Sequence, residues 1–397
     1  MTDKQNKLIP KLRFPEFKND GEWEQKFVKD VCSIETGKSN TQDQDVNGLY
    51  PFFIRSENPV KSSKYLYDCE AVITIGDGKI GQVFHYINGK FDLHQRCYKM
   101  SDFQGVNGKY FFYFFSSHFY ERAMRMSAKA TVDSVRLEMI SDMPIYLPSL
   151  KEQKRIADFL TSLDNLLAGT KAKLEQLIDH KKGLMQRLFP APGKTLPEYR
   201  FPGFVGEKEW EVKCLGDVTT IVNRRNKSRR MLPIYSINNK QGFILQSEQF
   251  NGLDSNSRGY DTSQYKIVNS NLFAYNPARI NVGSIGYSGK IKEGIISSLY
   301  VCFKSTDTVT DDFLRCFFET DQFRRSVDNN VEGGIRSYLF YENFSRINIA
   351  LPTIDEQKNI AFSILSINEL IEQYENKVIV IENHRQGLMQ QLFPKNE

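Results

Sequence analysis

Along two stretches of the chain, apolar residues recur in steps that alternate between three and four. The first stretch places them at Ile156, Leu160, Leu163, Leu167, Leu174, Leu177, Leu184 and Leu188, with Thr170 and Lys181 at the two positions where the rhythm expects another. The second places them at Ile360, Ile364, Ile367, Ile371, Tyr374, Val378, Ile381, Leu388 and Leu392, with Arg385 where Lys181 stood. Such a rhythm keeps one stripe on one side of a helix, and its persistence makes it a heptad seam. Two seams in one chain most simply pack on each other. Ser149 and Thr353 stand as N-caps, and Glu152 and Glu356 follow at the spacing of a capping box. The cationic breaks Lys181 and Arg385 weaken the seam. Two readings stand for them: they set register or touch a partner, or their long stems reach solvent.

Elsewhere short apolar runs stand between turn signals. AVITI (71–75), QVFHYI (82–87) and MPIYL (143–147) predict strands, with turns at 76–78 and 88–90. Residues 109–124 have helical length and an aromatic face. LFAYN (272–276), SIGYSG (284–289) and SLYVCF (298–303) predict further strands. Four prolines in 189–204 stop the first helix and make a stiff linker. The expected parts are a mixed domain at 1–147, a helix at 148–190, a linker and second mixed domain at 191–350, and a helix at 351–397.

These parts repeat. LPSLKEQKRI at 147 returns as LPTIDEQKNI at 351, and KKGLMQRLFP at 181 returns as RQGLMQQLFP at 385, both 204 residues later. RFPEFKNDGEWE at 13 returns as RFPGFVGEKEWE at 200, an offset of 187. The ends are alike and the middles differ, as in one scaffold carrying two different readers. A duplication of this size points to a pseudo-two-fold molecule. Such a molecule suits a target with two halves. If the two-fold axis crosses the helices, they are antiparallel. The expected fold class is α+β: two repeated mixed α/β domains separated by two long helices in an antiparallel coiled coil.

Composition narrows the chemistry only a little. The 397 residues are 40% hydrophobic and 13% aromatic, enough for real cores, and the net charge of +5 permits a polyanionic partner without requiring one. The polar N-terminus and the lack of an eighteen-residue apolar run predict neither a signal peptide nor a membrane span, and a cytoplasmic protein. Six cysteines without a CxxC pair suggest neither a zinc site nor a disulfide framework. Residues 76–81 fit GxGxxG, but a strand follows where the dinucleotide fingerprint needs a helix, so a hairpin tip is the better reading. Asn276-Pro277-Ala278 is a faint likeness to the motif of DNA amino-methyltransferases, without its second proline and aromatic residue. The Glu-x-Lys triplets at 152–154 and 356–358 have no paired upstream carboxylate. No catalytic or metal-binding residue is expected.

Basic residues at loop tips are the more useful signal. Lys79 and Arg279 are repeat mates at hairpin tips; Arg136 and Arg336 share the same offset of 200, just before each domain's last strand. Arg224, Arg225, Lys227, Arg229 and Arg230 cluster within 223–230. Such side chains neutralise phosphates, and arginine grips guanine by two bonds in the major groove. Residues 33–70 and 231–262 are further contributing segments that the sequence does not rank.

The twin LPxxxEQxxI helix starts (Gln153 and Ile156, Gln357 and Ile360), the twin GLMQxLFP ends (183–190 and 387–394) and the twin RFPxF starts resemble the specificity subunit of type I restriction-modification enzymes, over nearly the whole chain. The resemblance implies two target recognition domains, each reading one half of a bipartite double-stranded DNA sequence, and a coiled coil that acts as a spacer. It implies two modification subunits, which methylate adenine with S-adenosylmethionine, and restriction subunits that translocate DNA with ATP and magnesium. No cofactor is expected in this chain. Two other classes compete: a methyltransferase-specificity fusion, which needs a cofactor fold, and a coiled-coil scaffold that binds no DNA.

Overall fold

The computed structural model describes residues 8–126, 134–331 and 338–394. They form two compact units, Met1–Ala172 with Glu375–Glu397 and Lys173–Tyr374.

In the first unit, β1 (Glu24–Phe27) pairs antiparallel with β8 (Pro144–Leu147). A six-stranded sheet holds β2 (Ser33–Thr36), β3 (Tyr50–Phe53), β4 (Val60–Ser62), β5 (Tyr67–Ile75), β6 (Phe84–Leu93) and β7 (Cys97–Ser101), in the order β2-β7-β5-β6-β3-β4. Residues 71–75 of β5 are buried on both faces, hence the continuous apolar run. On one face Val72 joins the aromatic row of α1 (Gly108–Arg125), where Tyr110, Phe111, Phe114, Phe115 and Phe119 are fully buried. On the other, Ile73 and Ile75 pack with Phe53, Phe91 and Leu93. Asn107 caps α1 by accepting the Tyr110 N–H at 3.0 Å. The short α2 (Leu137–Ser141) precedes β8.

The expected turn at 88–90 is instead strand. Gly89 pairs with Cys69 inside an antiparallel ladder that runs unbroken from Thr74–Phe84 to Tyr67–Phe91. Eight cross-strand pairs outweigh a local Asn-Gly signal, and glycine tolerates the φ of +140° found there. The GxGxxG stretch is a hairpin tip between β5 and β6, as expected.

The second unit pairs β9 (Glu211–Cys214) with β18 (Asn348–Leu351), the repeat mates of β1 and β8. The short helix α4 (Leu215–Val218) leads into β10 (Thr219–Ile221). Next come β11 (Ile234–Asn238), β12 (Gly242–Leu245), α5 (Gln246–Gln249) and β13 (Lys266–Val268). After them run β14 (Phe273–Tyr275), β15 (Ile285–Tyr287), β16 (Gly294–Ile296) and β17 (Val301–Ser305). They make two four-stranded sheets, β10-β17-β14-β15 and β12-β11-β16-β13. In place of one long α1 stand α6 (Asp311–Phe318) and α7 (Asp321–Asn330), followed by α8 (Tyr341–Phe344).

The helices α3 (Leu150–Leu188) and α9 (Ile354–Leu392) are each 39 residues long. Every seam position is buried or half-buried, Thr170, Lys181 and Arg385 included. In the first unit Asp164 pairs with Arg385 and Lys171 with Glu382, so ascending numbers meet descending ones and the segments are antiparallel. In the second unit the end of α3 (Met185, Leu188) shares a core with the start of α9 (Ile360, Ala361, Ile364). Each cationic break finds a carboxylate within its own unit, Lys181 with Glu319 and Arg385 with Asp164.

The capping boxes are only half right. The Ser149 hydroxyl accepts the Glu152 N–H at 3.3 Å and the Thr353 hydroxyl the Glu356 N–H at 3.4 Å. The two carboxylates, however, go elsewhere. Glu152 takes both arms of Arg13 at 2.8 and 2.7 Å, and Glu356 takes both arms of Arg200 at 2.8 and 2.7 Å. A guanidinium with two parallel bonds outcompetes a single N–H for a charged acceptor. Both glutamate side chains are 1% exposed. The neighbouring glutamines are latches too. Gln153 accepts the Asn107 N–H (2.9 Å) and donates to Pro148 O (3.0 Å); Gln357 accepts the Thr310 N–H (2.8 Å) and donates to Pro352 O (3.1 Å).

Each unit holds one tryptophan, Trp23 or Trp210, both buried. In a Trp210→Phe background, Trp23 fluorescence therefore reports the first unit alone. Arg13→Ala leaves the Glu152 charge buried and unpaired, and should lower the urea unfolding free energy of that unit by about 3–5 kcal/mol. Arg13→Met with Glu152→Leu should recover most of it. A loss below about 1 kcal/mol, the worth of an exposed pair, would show that the clamp does not hold the unit.

Candidate nucleic-acid interface

The basic segment 223–230 is a structured loop between β10 and β11. At its centre Asn226 is fully buried. Its backbone N–H donates to Tyr265 O at 2.9 Å, its side-chain N–H to Arg230 O at 3.0 Å, and its side-chain oxygen accepts the Arg230 N–H at 3.0 Å. Arg224 O accepts the Ile267 N–H at 2.7 Å, which ties the loop to β13. Arg229 takes a φ of +50° to close the turn. With the backbone held inward, Arg224, Arg225, Lys227, Arg229 and Arg230 are all exposed.

Their availability differs. Arg230 gives both terminal nitrogens to Glu293, at 2.8 and 2.6 Å, and these bonds hold the Glu293 carboxyl below the usual range. Arg225 donates to Gln264 at 2.6 Å. Arg229 lies 3.9 Å from Asp261, at the outer limit of a pair. Arg224 and Lys227 form no hydrogen bond or ion pair through their side chains among the described residues.

Arg279 is exposed at the tip of the β14–β15 connection, in the second unit with the basic loop. Its backbone is fixed by Asn276, whose carbonyl accepts the Arg279 N–H at 3.0 Å. Lys79 holds the corresponding tip in the first unit and meets Glu57 at 2.5 Å. Arg136 stands just before α2 rather than leading straight into the last strand, and its guanidinium reaches Met126 O at 3.3 Å. Arg336 lies outside the described residues.

Sequence reasoning missed a charged group of the first unit. Asp77, at the β5–β6 tip, accepts from Arg55 at 3.2 Å with each oxygen and from Arg96 at 2.8 Å. The three residues come from three segments, so no local run of charge announces them. Only the breadth of the 33–70 segment points toward Arg55.

Among the described residues no three histidine, cysteine or carboxylate side chains gather in a way that could hold a metal ion. Burial pushes the thiols of Cys32, Cys97, Cys302 and Cys316 up to about 12, so they stay protonated. Glu152 and Glu356, the heads of the Glu-x-Lys triplets, are sealed in their arginine clamps.

Comparison with known proteins places this architecture. The type I restriction modification DNA specificity domain matches residues 20–178 and again 207–383. The MjaVIII type I restriction enzyme specificity subunit of Methanocaldococcus jannaschii is 24% identical over 428 residues, covering 96% of this chain and 93% of that protein. The putative MjaX specificity subunit of the same organism is 26% identical, covering 72% and 67%. The EcoDI specificity subunit of Escherichia coli is 27% identical over 181 residues, 45% of this chain and 40% of its own. Among solved structures, the type I restriction-modification S subunit from M. genitalium superposes with a TM-score of 0.69 at 14% identity, over 98% of this chain and all of that one. With two matched domains spanning most of its length, the chain belongs to the family of type I restriction-modification DNA specificity subunits.

Proposed function

We propose that the two matched domains read the two halves of a bipartite DNA target independently, while α3 and α9 set the distance between the halves and dock two modification subunits. The observation that carries this reading is the pattern of the duplication. The Arg–Glu clamps and the registers of the β1–β8 and β9–β18 ladders repeat pair for pair, and the two 39-residue helices correspond, whereas the sheets and loop rims beyond them differ. A shared frame with different rims gives two specificities with one mode of assembly. On this reading adenine methylation with S-adenosylmethionine, and ATP- and magnesium-dependent translocation, belong to the modification and restriction subunits. The solved assembly on complex formation and conformational transition of the type I system, matched at a TM-score of 0.51 and 13% identity, supports the frame alone.

Exchanging residues 1–147 for the matching part of a related subunit should change one half of the methylated sequence, mapped on DNA exposed to the complex; a change in both halves sinks the two-reader model. In the second domain, Arg224→Ala with Lys227→Ala should flatten the log–log salt dependence of binding, by up to roughly 0.9 for each phosphate the loop no longer neutralises. Arg230→Ala, whose fork is already engaged, should change it less. Unchanged slopes in fluorescence anisotropy would place the loop off the DNA. For the helices, a heptad adds about 10 Å, or roughly three base pairs at about 3.4 Å each. Seven residues inserted after Ala172 and seven after Asn376 keep the seam in phase, and should lengthen the gap while leaving the half-sites unchanged. Five-residue insertions rotate the seam outward and should misassemble. A seven-residue variant that acts only at the original spacing would show that the helices are not the ruler.

A further inference from the structure

The Arg55, Asp77 and Arg96 group is built for direction rather than for charge. Its side chains are 45%, 18% and 60% exposed, so an approaching ligand meets the two guanidiniums and not the carboxylate beneath them. A group meant only to neutralise phosphate gains nothing from a carboxylate that cancels half its charge. Reading a base edge is different, because two donors must point together. An acid that holds the arginine removes rotamer freedom before binding, which is preorganisation.

The backbone around the group is equally fixed. Gly76 N–H donates to Arg96 O at 2.7 Å, and a Cβ on Gly76 would fall 2.7 Å from that oxygen, so only glycine allows the approach. Arg96 N–H donates to Nδ1 of the buried His94 at 3.1 Å. Asp77 is bridged to Ser134. The Lys79–Glu57 pair joins the segments of Asp77 and Arg55 a second time. Burial raises the Asp77 carboxyl, but the Arg96 and Arg55 bonds outweigh it and leave the group below the usual range, hence ionised. At the repeat offset of 200, Asp77 falls on Pro277 and Arg96 on Ile296, so the group is private to the first domain.

We propose that Arg55 and Arg96, held by Asp77, form the base-reading fork of the first domain and recognise guanine edges in the major groove of its half-site. The proposal rests on the reading of the chain as a DNA specificity subunit and names residues that carry it.

The test selects bound duplexes from a randomised library with the full-length chain and sequences them. The parent should prefer guanine at one or two positions of one half-site. Arg55→Ala and Arg96→Ala should each relax that preference by roughly 5- to 150-fold, and leave the other half-site intact. Arg55→Lys and Arg96→Lys conserve charge and fold but lose the two-pronged geometry. They should relax it as well, while the salt dependence of binding stays as in the parent. Lysine variants that keep the preference, with alanine variants that weaken all sequences equally, would make these phosphate contacts and overturn the proposal. Full preference in all four variants would overturn it too, while leaving the DNA-binding reading standing. A parent that selects no sequence would bring down both.

Discussion

A buried carboxylate at the start of each long helix is the constraint on which the rest of this structure depends. A charge that is 1% exposed is tolerated only if its partner arrives with good geometry. That partner, Arg13 or Arg200, also donates to backbone carbonyls of its own segment, Asp20 and Gly21 in one repeat and Glu207 in the other. The opening segment of each domain is therefore bound to the helix start and folded on itself by one side chain. The adjacent glutamine then fastens the N-cap residue of α1 or α6. One Glu-Gln dipeptide thus converges three elements.

Cores close around these clamps in an interleaved way. Phe393, at the end of α9, packs against Tyr110 and Phe114 of the first domain, with ring centroids at 5.7 and 5.6 Å. Its mate Phe189, at the end of α3, packs against Phe313 of the second at 5.3 Å. The segments that approach these ends also correspond: Leu12 N–H donates to Gln391 O and Tyr199 N–H to Arg187 O, both at 2.9 Å. The helix end that follows α9 thus completes the first domain and the one that follows α3 completes the second, which gives both copies of the LFP phrase the same work.

Much of this is legible in the sequence. The three-four rhythm reveals both helices and every seam position, because a helix buries one stripe whatever surrounds it. The repeated phrases mark the clamps as important without revealing their chemistry. Glu152 looks like a cap because sequence shows only its neighbours, whereas Arg13 lies 139 residues away. The same limit hides the Arg55–Asp77–Arg96 fork, whose members meet only after β3, β5 and β6 are in place. Asn226 looks like one more polar residue in a basic run; buried, it shapes the loop that carries the others. For Lys181 and Arg385 the sequence permits two roles and does not show the carboxylates they meet, which come from just beyond α6 and from α3.

The interleaving also orders events in time. His118 and Pro394, which meet through the His118 ring and the Pro394 carbonyl at 3.2 Å, are 276 residues apart. At about 5–20 residues per second of synthesis, the first domain waits on the order of tens of seconds for the helix end that seals its aromatic core. The second domain finds its sealing residue, Phe189, already made. On the ribosome, the domain begun first is therefore the one completed last, and its row of phenylalanines is the surface most in need of shelter meanwhile.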